Sequence, residues 1–121
     1  SAPSDIRLKQ NINDDVAGLS FINDLRPVTY EWKNEGDLPV GHNSYVEGST
    51  EQFKNSTVNH GFIAQEVKEV IDSHSEIKDG FNMWREDYQD GRQRIAEGAL
   101  VPMLVKAIQE LSAEIEILKA K

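Results

Sequence analysis

A serine and a lysine lie five residues apart near the start of the sequence, at Ser4 and Lys9. A serine hydroxyl is a weak nucleophile at neutral pH and needs a base to take its proton. A lysine amine can be that base only when it is uncharged, which burial or a neighbouring positive charge favours. By spacing alone, the two residues are more simply interpreted as a helix cap and a solvated charge. The pair is a candidate site only if other features support it.

The spacing of Ser4 and Lys9 also sets a geometric condition. Side chains five residues apart point to opposite faces of a strand and lie well apart around a helix. Contact between the two side chains therefore predicts that the chain turns between them.

Other residues that could do chemistry give weaker signals. His42, His60 and His74 are far apart in sequence and lack the spacing of a metal site, and the absence of cysteine excludes thiolate ligands and disulfides. Four acids are interpreted as solvated or first-turn helix positions rather than as a general acid/base pair: Asp14, Asp15, Glu66 and Glu69. We expect neither a metal nor a cofactor.

Length and charge limit the classes of protein. With 121 residues, of which 38% are hydrophobic, the chain has room for one domain over residues 1–121. Its net charge of -8 argues against nucleic acid or an anionic membrane as a partner. Neither a membrane-spanning run nor a signal peptide is expected.

Short helices and short strands are both predicted in the first half of the chain. A helix carrying Val16, Leu19, Ile22 and Leu25 should follow the cap residues 13–15 and stop at Arg26, before a proline. Alternating apolar residues over 28–32 predict a strand with one buried face. Residues 60–67 predict a short strand that leads into a helix with Val67, Val70 and Ile71 on one side. The expected fold class is therefore α+β.

Two other segments, residues 34–59 and residues 73–98, have a less regular pattern of apolar residues. Residues 34–59, here called the arm, contain four glycine and proline residues and only scattered apolar ones, so they cannot form a core of their own. Because aromatic residues recur in the arm, we expect it to protrude and pack on something else. Residues 73–98 suggest short strands and turns, from two glycines and several aromatic or sulfur-containing residues: Gly80, Phe81, Met83, Trp84, Tyr88 and Gly91.

The C-terminal residues 99–121 carry the strongest physical pattern. Apolar residues spaced alternately by three and four form the a and d positions of a heptad seam: Val101, Leu104, Ile108, Leu111, Ile115 and Leu118. The seam predicts a parallel coiled coil, in which β-branched residues at a and Leu at d favour two strands. The alternative is an amphipathic helix that packs on its own domain. Pro102 belongs in the first turn, so the helix should begin near Gly98 or Ala99.

Four blocks of sequence, taken in this order, resemble a known family. They are SDIRLKQNI at residues 4–12, LRPVTYEW at 25–32, GFIAQEV at 61–67, and LVPML with AIQEL over 100–111. The family is the intramolecular chaperone domain at the C-terminus of phage endosialidases, tail fibres, tailspikes and neck appendage proteins.

The resemblance implies a homotrimer in place of the dimer that the seam alone predicts. It implies that the arm contacts an upstream fibre or spike chain, and that the domain assists the folding of that chain. It also implies a single-turnover serine peptidase in which Ser4 is the nucleophile and Lys9 the general base. Cleavage is then expected at the bond between Pro3 and Ser4, with trimer burial or the charge of Arg7 keeping the lysine neutral.

The same resemblance places the protein in a virion tail or appendage precursor that is assembled in the cytoplasm of a bacterial host. Because only residues 1–3 precede Ser4, we expect a product-like state. Two alternatives stay open: an oligomerising cap that never cuts, and a receptor-binding tip of a viral fibre.

Overall fold

The computed structural model describes residues 3–77 and 82–121. The predictions that involve Gly80 and Phe81 lie outside these residues, as do Ser1 and Ala2. Seven helices and strands make up the described part, in the order α1 (Leu19–Asp24), β1 (Val28–Tyr30), β2 (Asn59–Gly61), α2 (Ala64–Ser73), β3 (Trp84–Glu86), β4 (Gln93–Ile95) and α3 (Val101–Lys119). The mixed α+β class predicted from the sequence is confirmed.

The core lies where the three helices meet. Phe21 of α1 is completely buried, and α2 contributes Val67 and Ile71, which lie one turn apart on the same face. From α3 the core receives Met103, with Met83 filling the space before β3. The apolar face predicted for α2 is therefore the face that packs.

The strands form two separate antiparallel pairs. In the first, β1 pairs with β2, so that Val28 lies opposite Gly61 and Tyr30 opposite Asn59. In the second, β3 pairs with β4 around a turn in which Gly91 has a φ of 71°. A strand within the predicted range 28–32 is confirmed, but it ends at Tyr30. The strand before α2 is confirmed, and so are strands and a turn in the described part of 73–98.

Helix α1 begins later than the sequence pattern predicts. Val16 is exposed and lies outside the helix, and Asp15 instead accepts a hydrogen bond from the backbone N–H of Ala17, at 2.8 Å. The helix starts after Gly18, and Oε1 of Glu110 from α3 accepts a hydrogen bond from the N–H of Leu19, at 3.2 Å. The cap comes from a distant residue, so the local pattern at 13–15 could not reveal it.

Two ion pairs link the end of α1 and the residues just after it to α2. The guanidinium of Arg26 donates two hydrogen bonds to the carboxylate of Glu66, at 2.8 and 2.7 Å. His74, at the end of α2, lies within 2.7 Å of Asp24 and 2.8 Å of Glu76, and its ring packs edge-on against Phe21. His74 therefore links the two helices to each other.

The arm runs between the paired ends of β1 and β2. Backbone hydrogen bonds cross it near its base, from the N–H of Glu35 to the carbonyl of Glu51 at 2.7 Å and from the N–H of Phe53 to the carbonyl of Lys33 at 2.8 Å. A row of edge-to-face aromatic contacts follows, with Trp32 against Phe53 at 5.3 Å. No arm residue is fully buried, in agreement with the expectation that it has no core of its own.

Helix α3 has two distinct sides. A 3₁₀ turn at Glu97–Leu100 leads into it and Pro102 lies in its first turn, as predicted, although the α-helix itself begins at Val101. One side packs on the body through Met103 and Ala107, and the predicted seam lies on another side. In the described part of the chain, none of the helices has the length and apolar character needed to cross a membrane.

Candidate active site

Ser4 and Lys9 are brought together by a single 3₁₀ turn at Ile6–Leu8. Backbone hydrogen bonds close the turn, from the N–H of Leu8 to the carbonyl of Asp5 at 3.0 Å and from the N–H of Lys9 to the carbonyl of Ile6 at 3.1 Å. The Nζ of Lys9 then donates a hydrogen bond to the Oγ of Ser4, at 2.9 Å. The turn that the spacing required is present.

Asp5 and Arg7 stabilise this turn by hydrogen bonds to each other. Asp5 is its cap, since its Oδ1 accepts a hydrogen bond from the N–H of Arg7, at 2.9 Å. The Arg7 guanidinium also donates to the same carboxylate, with Nη2 at 2.7 Å from Oδ2. These side-chain hydrogen bonds from Arg7 lower the pKa of Asp5, and Asp5 in turn raises the pKa of Arg7.

The pairing changes the expectation for Arg7. As an unpaired cation it would disfavour a second positive charge at Lys9, but the Asp5 carboxylate offsets its charge. Asp5 is the residue that sequence reasoning missed here. Its signal was available, because aspartate two residues before a backbone N–H is a common capping arrangement.

Water reaches the Ser4–Lys9 pair freely in the single chain. Every residue from 3 to 16 is exposed. In the present hydrogen bond the amine donates to the hydroxyl, whereas general-base catalysis needs the hydroxyl to donate to a neutral amine. The same contact can serve in either direction.

The six predicted seam residues are all exposed in the single chain. Ile108 is 65% exposed, whereas Met103 on the body-facing side of α3 is 6% exposed. Glu110 is half-buried, because it caps α1. Helix α3 therefore packs on its own body through one face and leaves the heptad seam open.

The three histidines do not converge. His42 packs edge-on against Phe53 in the arm, His60 lies in β2, and His74 joins α1 to α2. Across residues 3–77 and 82–121, no group of three or more histidine and acidic side chains could hold a metal ion.

The family comparison matches residues 4–76, which is more than half of the 121-residue chain, to the family described as "chaperone of endosialidase". The match begins at Ser4 and includes the first three resembling blocks, whereas the block at 100–111 lies beyond it. No curated protein and no solved structure gives a significant match. The family is classed as a peptidase as well as a chaperone, which is consistent with self-cleavage. The chain belongs to the chaperone of endosialidase family.

Proposed function

We propose that this domain is an intramolecular chaperone that trimerises, assists the folding of an upstream fibre or spike chain, and then releases itself by cutting the bond between Pro3 and Ser4. The observation that carries the proposal is the 2.9 Å contact between the Nζ of Lys9 and the Oγ of Ser4, at the first residue of the family match. Family membership itself supports the chaperone role.

The proposed reaction uses only groups of this chain and one water. Lys9 takes the hydroxyl proton as the Oγ of Ser4 attacks the carbonyl carbon of Pro3. The carbon–nitrogen bond to Ser4 then breaks, the proton passes to the leaving nitrogen, and an ester joins Pro3 to the Oγ. Water hydrolyses the ester, which leaves a carboxylate on Pro3 and a free amine and hydroxyl on Ser4. Each chain reacts once, because the new amine ends the chain.

Assembly is the proposed trigger for this reaction. The pair is exposed in the single chain, and Asp5 offsets the charge of Arg7, so the neutral amine must be favoured from outside. Burial against another chain would favour it, since desolvation disfavours the ammonium form. Cleavage would then wait until three correctly folded copies have met.

The open seam of α3 is the proposed trimer interface. Its apolar a and d residues lie on a face that the body does not cover, and they include Ile108 and Leu111. Apolar rows of this kind are stable in water only when other helices cover them. Light scattering decides between the trimer that the family implies and the dimer that the seam alone favours.

The arm is the proposed contact with the upstream chain. It is cross-linked at its base by backbone hydrogen bonds, and exposed apolar side chains such as Val40 and Val46 lie farther along it. A firm base with exposed apolar residues suits a surface that binds a partially folded partner. The parent is proposed to be a phage tail or appendage protein, assembled in a bacterial cytoplasm.

One observation favours a second candidate, a cap that oligomerises and never cuts. Both members of the candidate pair are exposed, and the nearest cation is already paired with Asp5. The same experiment separates the two functions.

The test uses a chain extended upstream of Ser1, examined by denaturing electrophoresis and intact mass. Wild type should split at the bond between Pro3 and Ser4, while Ser4→Ala and Lys9→Ala stay whole. Lys9→Arg is the sharper variant, because arginine keeps the charge and a hydrogen-bond donor but cannot become a neutral base. It should also stay whole. Ser20→Ala, at an exposed serine of α1, is the matched control and should cut like wild type.

If wild type remains one chain while it forms oligomers, the peptidase role is wrong and the cap is the function. If Lys9→Arg cuts at the wild-type rate, Lys9 is not the base. The chaperone role is measured separately, as the yield of folded upstream protein with and without residues 4–121.

A further inference from the structure

The segment from residue 4 to residue 16, here called the strap, contains the 3₁₀ turn and is exposed along its whole length. Its four large apolar side chains are between 64% and 72% exposed: Ile6, Leu8, Ile12 and Val16. Four large apolar side chains exposed on one segment of thirteen residues make that segment a candidate for contact with another molecule.

The strap is fixed to the body only at its end. Ala17 is buried, and Gly18 lies directly against Lys106 and Glu110 of α3. The strap therefore leaves the body beside the middle of α3, one residue before the seam residue Leu111.

An apolar groove of about 350 Å³ opens near the start of the same helix. It is lined by six apolar residues, with the exposed Glu97 beside them: Ile22, Leu25, Pro27, Phe62, Leu100 and Leu104. Leu104 also belongs to the seam, so a copy that approaches along the seam arrives at the mouth of the groove.

The strap is long enough to reach this groove on a neighbouring copy. From Leu104 to Glu110 the helix rises about 9 Å, at 1.5 Å per residue. Packed helices lie about 8–10 Å apart. An extended chain from Leu8 to Val16 spans about 26 Å, at roughly 3.3 Å per residue. In a parallel assembly, the span of the extended strap therefore exceeds the sum of the rise along the helix and the distance between packed helices.

We propose that the strap of one chain docks into the groove of a second copy, with Ile6 and Leu8 as its anchors. The occupant is a second copy because the single chain leaves its own strap and its own groove both open, and because the seam continues into the groove through Leu104. Ile6 and Leu8 are the first and last residues of the turn that holds Lys9 against Ser4, so docking excludes water from that pair. This inference rests on the proposed function and names the contact that makes cleavage depend on assembly.

The chain contains no cysteine, so single cysteines can report the contact. One preparation carries Ile6→Cys, a second carries Glu97→Cys, and the two are mixed, refolded together and oxidised with copper–phenanthroline. Docking between copies predicts a disulfide-linked heterodimer on a non-reducing gel. The control partner for the Ile6→Cys chain is Tyr88→Cys, on the β3–β4 turn, where the side chain is 94% exposed. That mixture should give no heterodimer above background.

A second measurement joins the contact to cleavage. In the upstream-extended chain, Ile6→Ser with Leu8→Ser should keep the oligomer mass of wild type and slow cleavage by at least about tenfold, because the pair stays hydrated. Ser4 and Lys9 are unchanged in this variant, so loss of cleavage reports the docking and not the chemistry.

Each other outcome overturns the inference in a distinguishable way. Oligomers that form without the heterodimer mean that the strap does not occupy the groove, while the proposed function stands. A disulfide within one chain of the double variant Ile6→Cys/Glu97→Cys, with none between chains, means that the strap covers its own body. A chain that stays monomeric defeats both this inference and the trimeric chaperone.

Discussion

Two residues on α3 provide the sharpest test of how this helix is used. Met103 is 6% exposed and packs on the body, whereas Ile108, five residues later, is 65% exposed in the single chain. We expect Met103→Ala to weaken the folded chain itself and Ile108→Ala to weaken only the association between chains.

The magnitudes follow from these exposures. Removing a buried methionine side chain to alanine costs about 2–5 kcal/mol of the free energy of unfolding. Full burial of an isoleucine contributes about 1.5–3 kcal/mol, so the third that is already covered accounts for less than about 1 kcal/mol in the single chain. The remaining two thirds, about 1–2 kcal/mol in each chain, are available only in an assembly. In the proposed trimer this sums to about 3–6 kcal/mol, a factor of about 10² to 10⁴ in the association constant.

The assay combines light scattering over a range of protein concentrations with denaturant unfolding followed by circular dichroism. Met103→Ala should lower the unfolding midpoint at every concentration. Ile108→Ala should move the concentration at which oligomers form and should leave unfolding of the dilute chain within about 1 kcal/mol of wild type.

An unchanged mass distribution for Ile108→Ala would refute the seam as the interface. If Ile108→Ala instead destabilises the dilute chain as much as Met103→Ala does, the seam packs on its own body, which is the alternative that the heptad spacing left open.

Three further predictions concern the body. The hydrogen bond to Asp24, and to a smaller extent the one to Glu76, raises the pKa of His74 above 6.5. His74 therefore stabilises the fold fully at pH values below its unfolded pKa, and this contribution is lost as the pH rises through its folded pKa. Unfolding at pH 5.5 to 8.5 should therefore show a fall in stability that His74→Gln removes. Gly18→Ala should lower the free energy of unfolding by about 1–2 kcal/mol, because a methyl group there displaces the Glu110 carboxylate that caps α1. In a Glu110→Ala background the same substitution should cost less, and equal costs in the two backgrounds would contradict this cap. Gly91→Ala should destabilise the β3–β4 turn by about 1 kcal/mol, since its φ of 71° disfavours a side chain, and hydrogen exchange of β3 and β4 measures the effect.

The sequence predicted elements whose pattern is local. Heptad spacing located α3, alternation located β1, and the i and i+4 pair Val67 and Ile71 identified the buried face of α2. Pro102 marked the first turn of α3 to within a residue or two, as expected where a residue is intolerant of other positions.

Features that depend on distant residues were beyond local patterns. The start of α1 was placed too early because Glu110, 91 residues away, is the acceptor at its first turn. The candidate site differs, because its signals were local: spacing showed that Ser4 and Lys9 need a turn, and the capping signal of Asp5 was present in the sequence but missed. Exposure of the strap could not be read from its apolar residues, which in sequence look like any other core positions.

Residues Tyr30 and Asn59 are direct partners across β1 and β2, so the arm leaves the body and returns to it at one point. A segment attached in this way can be replaced as a unit, because its length and sequence can change while the two strands keep their register. Because the arm is the proposed contact with the upstream chain, natural variation is expected to be concentrated in the arm. Transplanting an arm between domains of this kind should transfer client specificity while the recipient body keeps its own stability.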